Sequence, residues 1–473
     1  VKTAAVKTPS PARALSALVL VALVGALPVG ACSSSGHTAP SDAGSDGTVA
    51  ETGPVDAGPD VPVVPPDAMP PSGAFCALPG SYVWTSQGAE IVPGAKTPPP
   101  DLSWLTLPHG FCAHYFGTVP TARQIRLAPD GDVFVASPTT TTTGGANNGI
   151  AGIEVLPDDD HDGTADQNIT FLDNLPSVQG LLFTGGYFYY QDNTIIRRVP
   201  FNKGDRQPSG ASEIVTTMSM KQASEHWPKV MDIAQDGTIY VTNGGSQFDQ
   251  CDSNFQTYPG GVYQLNPDGS TSMVTNGFRN PIALRCETDH DVCLAVELAL
   301  DYSWNEDGRE KIMPVRQGDN WGYPCCATQN TPYTGVTYAD TKATPDCSKV
   351  APESTSFLIG HTPFGIDFEG GLWPAPWGGR AFVTLHGDAA RWNGARVVGI
   401  ALDPATGLPL PSTDLDGGSS GPNMMDFATG WDDGQKDHGR PAAITFAPDG
   451  RMFLGDDQRG FVVWIAPVGL MQH

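Results

Sequence analysis

The sequence predicts an all-β chain folded as a six-bladed β-propeller of four-stranded antiparallel blades. Three observations carry that expectation. An apolar alternating strand, an Asp-Gly turn and a second apolar strand recur at residues 125–135, 231–241 and 444–454, and Asp-Gly between such strands is a strong hairpin signal. Looser copies at 180–190, 281–296 and 364–383 bring the series to six. Successive copies lie about 50 residues apart early and about 80 later, the spacing of four-stranded blades with insertions between the later ones. The 55 glycines and 43 prolines supply many turns, and helical periodicity is nearly absent. A β-sandwich would not need six similar hairpins in series.

From the N-terminus, Lys2, Lys7 and Arg13 precede an apolar run over 14–29 and a small-residue stretch that ends at Cys32. That order reads as an export signal over 1–31, with Cys32 as a lipid-modified N-terminus in the manner of bacterial lipoproteins. A plain signal peptide with a chance cysteine is the alternative. The run is short for a transmembrane anchor and no stop-transfer charges follow it. Residues 32–74 are rich in Pro, Gly, Ser and Asp and contain no Lys or Arg. Such a segment buries too little apolar surface to order itself, so a flexible tether is expected. The propeller is expected over 75–473, on an exported protein held at the periplasmic membrane or the cell surface.

The formal net charge is -25. An acidic surface of this size argues against nucleic acid and against docking on anionic lipid. A local group of arginines can still hold a small anion, because salt screens the distant field. Besides Cys32 there are eight cysteines, at 76, 112, 251, 286, 293, 325, 326 and 347. An even number in an exported chain reads as disulfides, with 105 connectivities open. Only Cys286 with Cys293 stands out, because their short separation suits a bridge across a hairpin. Free buried thiols are the alternative, and the absence of a Cys-x-x-Cys pair disfavours a metal.

Several stretches could carry chemistry. Asp158, Asp160, Asp162 and Asp166 occupy positions 1, 3, 5 and 9 of a loop with Gly163 at position 6. That spacing wraps oxygen ligands around a hard cation and suggests structural calcium, although Ile169 stands where a bidentate Glu belongs. A solvated acidic turn is the bland alternative. His226 lies just before the strand of the third full-strength or loose repeat, where a propeller places residues near its axis. In Gly277-Phe278-Arg279-Asn280-Pro281 the proline drives Asn280 towards extended backbone, which fixes a cation and an amide at a strand start. No Gly-x-Ser-x-Gly, His-Glu-x-x-His or Gly-x-x-x-x-Gly-Lys is present, so hydrolase and nucleotide chemistry lack support.

The order Arg279-Asn280-Pro281, a hairpin, a Glu-led polar loop and Asn320-Trp321-Gly322-Tyr323-Pro324 resembles the soluble quinoprotein glucose and sorbosone dehydrogenases, over about Gly110 to Ile465. That family uses pyrroloquinoline quinone (PQQ) and calcium on a six-bladed propeller. The resemblance implies that His226 is the catalytic base and that Arg279 and Asn280 contact the reactive edge of the quinone. It also places Gln179 near the quinone and gives the backbone carbonyls of Ala299 and Leu300 to the cofactor calcium. PQQ is a tricarboxylate, so further cations are needed. Arg391 and Arg396, in a segment similar to the sorbosone-type His-Gly-Ser-Trp-Asn-Arg, and Arg440 before Pro441 are the candidates. Two departures stand out. Ala299-Leu300 replaces a family Gly-Pro, and a family Asp that supports the base falls on Gly245.

The function implied is oxidation of a sugar hydroxyl or aldehyde hydrate with PQQ as acceptor, the electrons passing on to an unidentified partner. The alternative is a non-catalytic propeller of the same ancestry that binds a glycan or a protein. A calcium-dependent lactonase-type propeller would need Glu, Asn and Asp at the channel in place of Arg and His.

Overall fold

The computed structural model describes residues 70–140, 148–218, 226–245, 251–253, 260–299, 309–334, 336–387, 394–415, 421–432 and 438–472. The leader, Cys32, the tether over 32–69, Leu300 and Arg391 lie outside the described residues.

Six antiparallel sheets form the blades. Their first strands are Gln124–Leu127, Leu181–Thr184, Met231–Ile233, Asn280–Glu287, Pro363–Phe368 and Pro441–Phe446, taken here as the inner strands of blades 1 to 6. Each inner strand packs on the next, and the sixth packs on the first, so together they close a ring around a channel. The six repeats are the hairpins that join each inner strand to the second strand of its blade. Where the turn is Asp-Gly the glycine takes positive φ, +99° at Gly131, +88° at Gly237 and +88° at Gly450. A side chain there would be strained, which is why the signal was visible in sequence.

Two blades exceed four strands. In blade 4 the short strand Ser412–Thr413 adds in parallel to Thr355–Leu358. Blade 6 closes the ring, because Phe111–Thr118 from the start of the propeller pairs with Phe461–Pro467 from its end. The hairpin of Tyr82–Thr85 and Gly88–Ile91 extends that sheet outward. Closure removes the open edges that a linear row of sheets would leave. The 3-10 turn Phe75–Ala77 is fastened to the closing strand by Cys76–Cys112. The other bridges are Cys286–Cys293, as the sequence suggested, Cys251–Cys325 and Cys326–Cys347.

Apolar residues fill the spaces between blades. Phe134, Phe171, Phe183, Phe188 and Phe201 pack between blades 1 and 2, and Phe111, Trp373, Phe382 and Phe427 pack between blades 5 and 6. Charges occupy the channel instead. Arg285 of blade 4 grips Asp367 of blade 5 through two bonds of 2.8 and 2.7 Å and lies 3.5 Å from Asp232 of blade 3. Asp367 also accepts the Phe446 amide of blade 6 at 2.7 Å, and Arg126 of blade 1 donates to the Met231 carbonyl at 3.2 Å. These groups lie well inside their strands and form a floor beneath the mouth where the inner strands begin.

Candidate active site

The mouth is built from the residues just before each inner strand and those just after each second strand. Gln179, His226, Arg279 and Asn280 all fall there, on blades 2, 3 and 4. Asn280 opens its strand with no exposed surface, and neither its amide nitrogen nor its amide oxygen has a hydrogen-bond partner among the described residues. Gln179, equally buried, donates Nε2 to the Ile282 carbonyl of blade 4 at 3.0 Å while its Oε1 has no partner among the described residues. His226 is 3% exposed, and its Nε2 likewise has no partner among the described residues. Buried polar atoms are rarely left this way, so a cluster of them marks a surface made for a ligand.

Gly245 answers one departure noted in the sequence. Its carbonyl lies 3.0 Å from His226 Nδ1, and its amide donates to the Arg279 carbonyl at 2.7 Å. A carbonyl only accepts, so Nδ1 carries the proton and Nε2 presents a lone pair. The backbone thus does the orienting work expected of an aspartate. A Cβ at 245 would lie 3.0 Å from both the Phe278 carbonyl and Tyr323 Cε1, so the site is already full there. Burial pushes His226 down to about 3, and the Arg279 charge acts in the same direction. Both effects favour the neutral ring.

Arg279 is held from several sides. Its amide donates to Glu297 Oε2 at 2.8 Å, and its Nη1 donates to the Ala299 carbonyl at 2.9 Å. That second bond puts a guanidinium on the carbonyl expected to serve calcium and leaves it one lone pair for a cation. Burial raises the Glu297 carboxyl, and the charge of Lys311 opposes this. Lys311 in turn donates to the Trp321 carbonyl at 3.1 Å. The two sequence motifs therefore meet in space. Trp321 and Tyr323 donate their amides to the Asn276 and Gly277 carbonyls at 2.9 and 3.0 Å. A Cβ on Gly277 would come within 2.5 Å of the Trp321 nitrogen, which explains the glycine.

The remaining cations divide. Arg440 precedes the inner strand of blade 6 and donates to the carbonyls of His386, at 2.8 Å, and Gly387. Arg396 lies in blade 5 and is committed elsewhere, with Nη2 on Asp414 at 2.6 Å, Nε on Asp426 at 2.8 Å and Nη1 on the Gly394 carbonyl at 2.9 Å. Each of its guanidinium nitrogens therefore already has a protein partner. The acidic loop brings Asp158, Asp160 and Asp166 together, their nearest oxygens within 4.8 Å of one another. Asp162 turns instead, with Asp160, to the Lys96 ammonium at 2.9 and 2.6 Å.

Residues 106–295 match a family described only as a domain of unknown function, DUF7133. No curated protein matches in sequence. Solved structures match over most of their length. A Trichoderma reesei enzyme of carbohydrate-active family AA12 shares 16% identity at a TM-score of 0.61, over 77% of this chain and 97% of that one. The holo PQQ domain of pyranose dehydrogenase from Coprinopsis cinerea gives 15% and 0.60, over 76% and 96%. The apo soluble aldose sugar dehydrogenase of Escherichia coli gives 10% and 0.53, over 76% and 99%. The fold is that of the PQQ-dependent sugar dehydrogenases. The T. reesei enzyme has also been solved in a calcium form.

The sequence reading missed the partners at the propeller's mouth that are distant in the chain. Arg123 stands immediately before the inner strand of blade 1, at the offset of Arg279 and Arg440 in theirs. The repeat itself was the signal that could have found it. Asp457, 2.6 Å from Arg123 and 2.8 Å from His386 Nε2, carries no motif of its own.

Proposed function

We propose that the chain is a sugar dehydrogenase that oxidises an aldose-type hydroxyl with PQQ as its cofactor. The observation that carries the reading is that His226 Nε2, the Asn280 amide and Gln179 Oε1, at the mouth on three successive blades, are all buried without a partner among the described residues, with the Arg279 charge acting on His226. These residues fit the group. Arg279 would supply charge to an anionic, carbonyl-bearing ligand, and Asn280 and Gln179 would supply a donor and acceptors. When bound, PQQ supplies the hydride acceptor. His226 takes the hydroxyl proton at Nε2, the Gly245 carbonyl holds the ring in the tautomer that allows it, and Arg279 keeps a positive charge where negative charge gathers. Calcium would draw on the remaining lone pair of the Ala299 carbonyl.

Titration of the apo-protein with PQQ and calcium, followed by the quinone absorbance and then by addition of an aldose, tests this. His226→Ala should keep PQQ bound and lose sugar-dependent reduction by about a hundred- to ten-thousand-fold. A parent protein that binds no PQQ ends the dehydrogenase reading and leaves a propeller that binds a glycan or a protein partner.

A further inference from the structure

A second group of cations lies at the mouth, between blades 6 and 1. There a pocket of about 430 Å³ is lined by Arg123, Arg440, Arg459, Asp457, Thr118 and Asn148, among others. Its volume lies within the range of small-molecule sites, ~300–1,000 Å³. Arg123 and Arg440 precede inner strands, and Thr118 ends the fourth strand of blade 6, so the pocket runs outward from the channel.

Its charge is one-sided. Three guanidiniums face one carboxylate among the described lining residues, and that carboxylate is already engaged by Arg123 and His386. Arg123 is 7% exposed, its guanidinium lies 4.9 Å from the centre of the Phe364 ring, and its Nη1 is buried without a hydrogen-bond partner among the described residues. A charged donor fixed in that state is costly unless a ligand oxygen meets it. Arg459 is exposed at the rim, its guanidinium 5.6 Å from the Trp104 ring centre. Guanidinium donors along an open, partly polar pocket suit a carboxylate better than a neutral sugar face.

We infer that this pocket binds the carboxylate of a small anion, with Arg123 as its inner contact and Arg459 at its entrance. Two molecules offer that chemistry, an acidic sugar such as a uronate and the PQQ carboxylates. The binding site stands on its own geometry, and only the second source rests on the dehydrogenase reading.

The test is isothermal titration of the apo-protein with D-glucuronate, D-glucose and PQQ, using the parent, Arg123→Gln and Arg459→Glu. Glucuronate should bind the parent at least ten times more tightly than glucose. Arg123→Gln should lose about ten- to a hundred-fold of that affinity, as the loss of a charged hydrogen bond implies. Arg459→Glu should lose several-fold or more. It reverses a rim charge without touching the Arg123–Asp457 pair, so it decides the matter if Arg123→Gln fails to fold. Weakening of PQQ alone assigns the pocket to the cofactor, and weakening of glucuronate alone assigns it to an acidic substrate. Parent-like affinity for both anions in both variants, or a parent that binds neither, overturns the proposal.

Discussion

Gly244→Ala adds a single methyl group behind the proposed base. Built on the existing backbone, that methyl would lie 2.7 Å from the His226 carbonyl oxygen and closer still to His226 Cβ. Carbon atoms in contact settle at about 3.5–4.0 Å, so His226 or its strand must yield by roughly 1 Å. Overpacking of this kind costs about 1–3 kcal/mol. For about 400 residues unfolding together, at ~2.1 cal/mol/K each, every kcal/mol moves the melting temperature by about 1.2 °C, so a fall of about 1–4 °C is expected. Turnover should suffer more, because a 1 Å misplacement costs on the order of a hundred-fold in rate. Stopped-flow reduction of bound quinone by an aldose measures that loss, and absorbance titration shows whether PQQ still binds. Gly370→Ala is the control, since nothing lies within 4 Å of a Cβ there. A Gly244→Ala variant that turns over within about threefold of the parent would refute the placement of His226 as base.

Other perturbations reach other parts of the molecule. Arg279→Gln should weaken PQQ about ten- to a hundred-fold, read by titration, since a charged hydrogen bond is worth roughly 1.5–3 kcal/mol; unchanged affinity would remove Arg279 from the site. Asp367→Asn leaves the Arg285 charge short of its partner in the channel floor and should cost about 3–5 kcal/mol in a melting experiment. Burial alone would raise the Asp367 carboxyl, but Arg285 outweighs this and holds it below the usual range. Its stabilisation is therefore present above the unfolded value, about 3.9, and lost as pH falls through the folded one, so the variant's deficit should shrink in acid. Asp158→Asn with Asp160→Asn should abolish any calcium-dependent rise in melting temperature; a rise that persists would place the metal elsewhere. We also propose that Cys32 carries the lipid anchor, so Cys32→Ala should leave the membrane fraction, and a variant that sediments with membranes as before would refute it.

What could be read in the sequence depended on how far apart the cooperating residues lie. The hairpins were legible because Asp130-Gly131, Asp236-Gly237 and Asp449-Gly450 punctuate strands of alternating polarity. Blade 2 turns instead through Gly185-Gly186, both at positive φ, and so gave a looser copy. In blade 5 the two strands are separated by a loop folded around Glu369, which accepts the amides of Gly371, Leu372, Trp373 and Gly379. Arg279 and Asn280 were legible as a local motif. The Arg123–Asp457–His386 cluster was not, because its members come from blades 1, 6 and 5 and only the closed ring brings them together. Gly245 shows a second limit. Sequence registers a missing carboxylate, but a carbonyl that takes its place leaves no trace, since every residue has one.

The two ends of the channel argue together for a ligand at the mouth. Both are rich in buried charge and amide groups, and both are lined by the same six inner strands. At the floor, Arg285 and Asp367 leave no buried side-chain atom unpaired, and Arg126 Nε is the exception nearby. At the mouth, Gln179 Oε1, His226 Nε2, both amide atoms of Asn280 and Arg123 Nη1 lack partners among the described residues. A propeller can evidently satisfy polar groups in its channel when structure is all that is asked of them. Leaving several unsatisfied at one end carries a standing cost of about 1–3 kcal/mol for each group. Stability gains nothing from such an arrangement, so the groups are best explained by a molecule that completes them. They fall into two sets, blades 2 to 4 with a base and an amide, and blades 6 and 1 with arginines. A ligand, or a pair of ligands, that spans the mouth would therefore meet proton-accepting chemistry on one side and carboxylate recognition on the other.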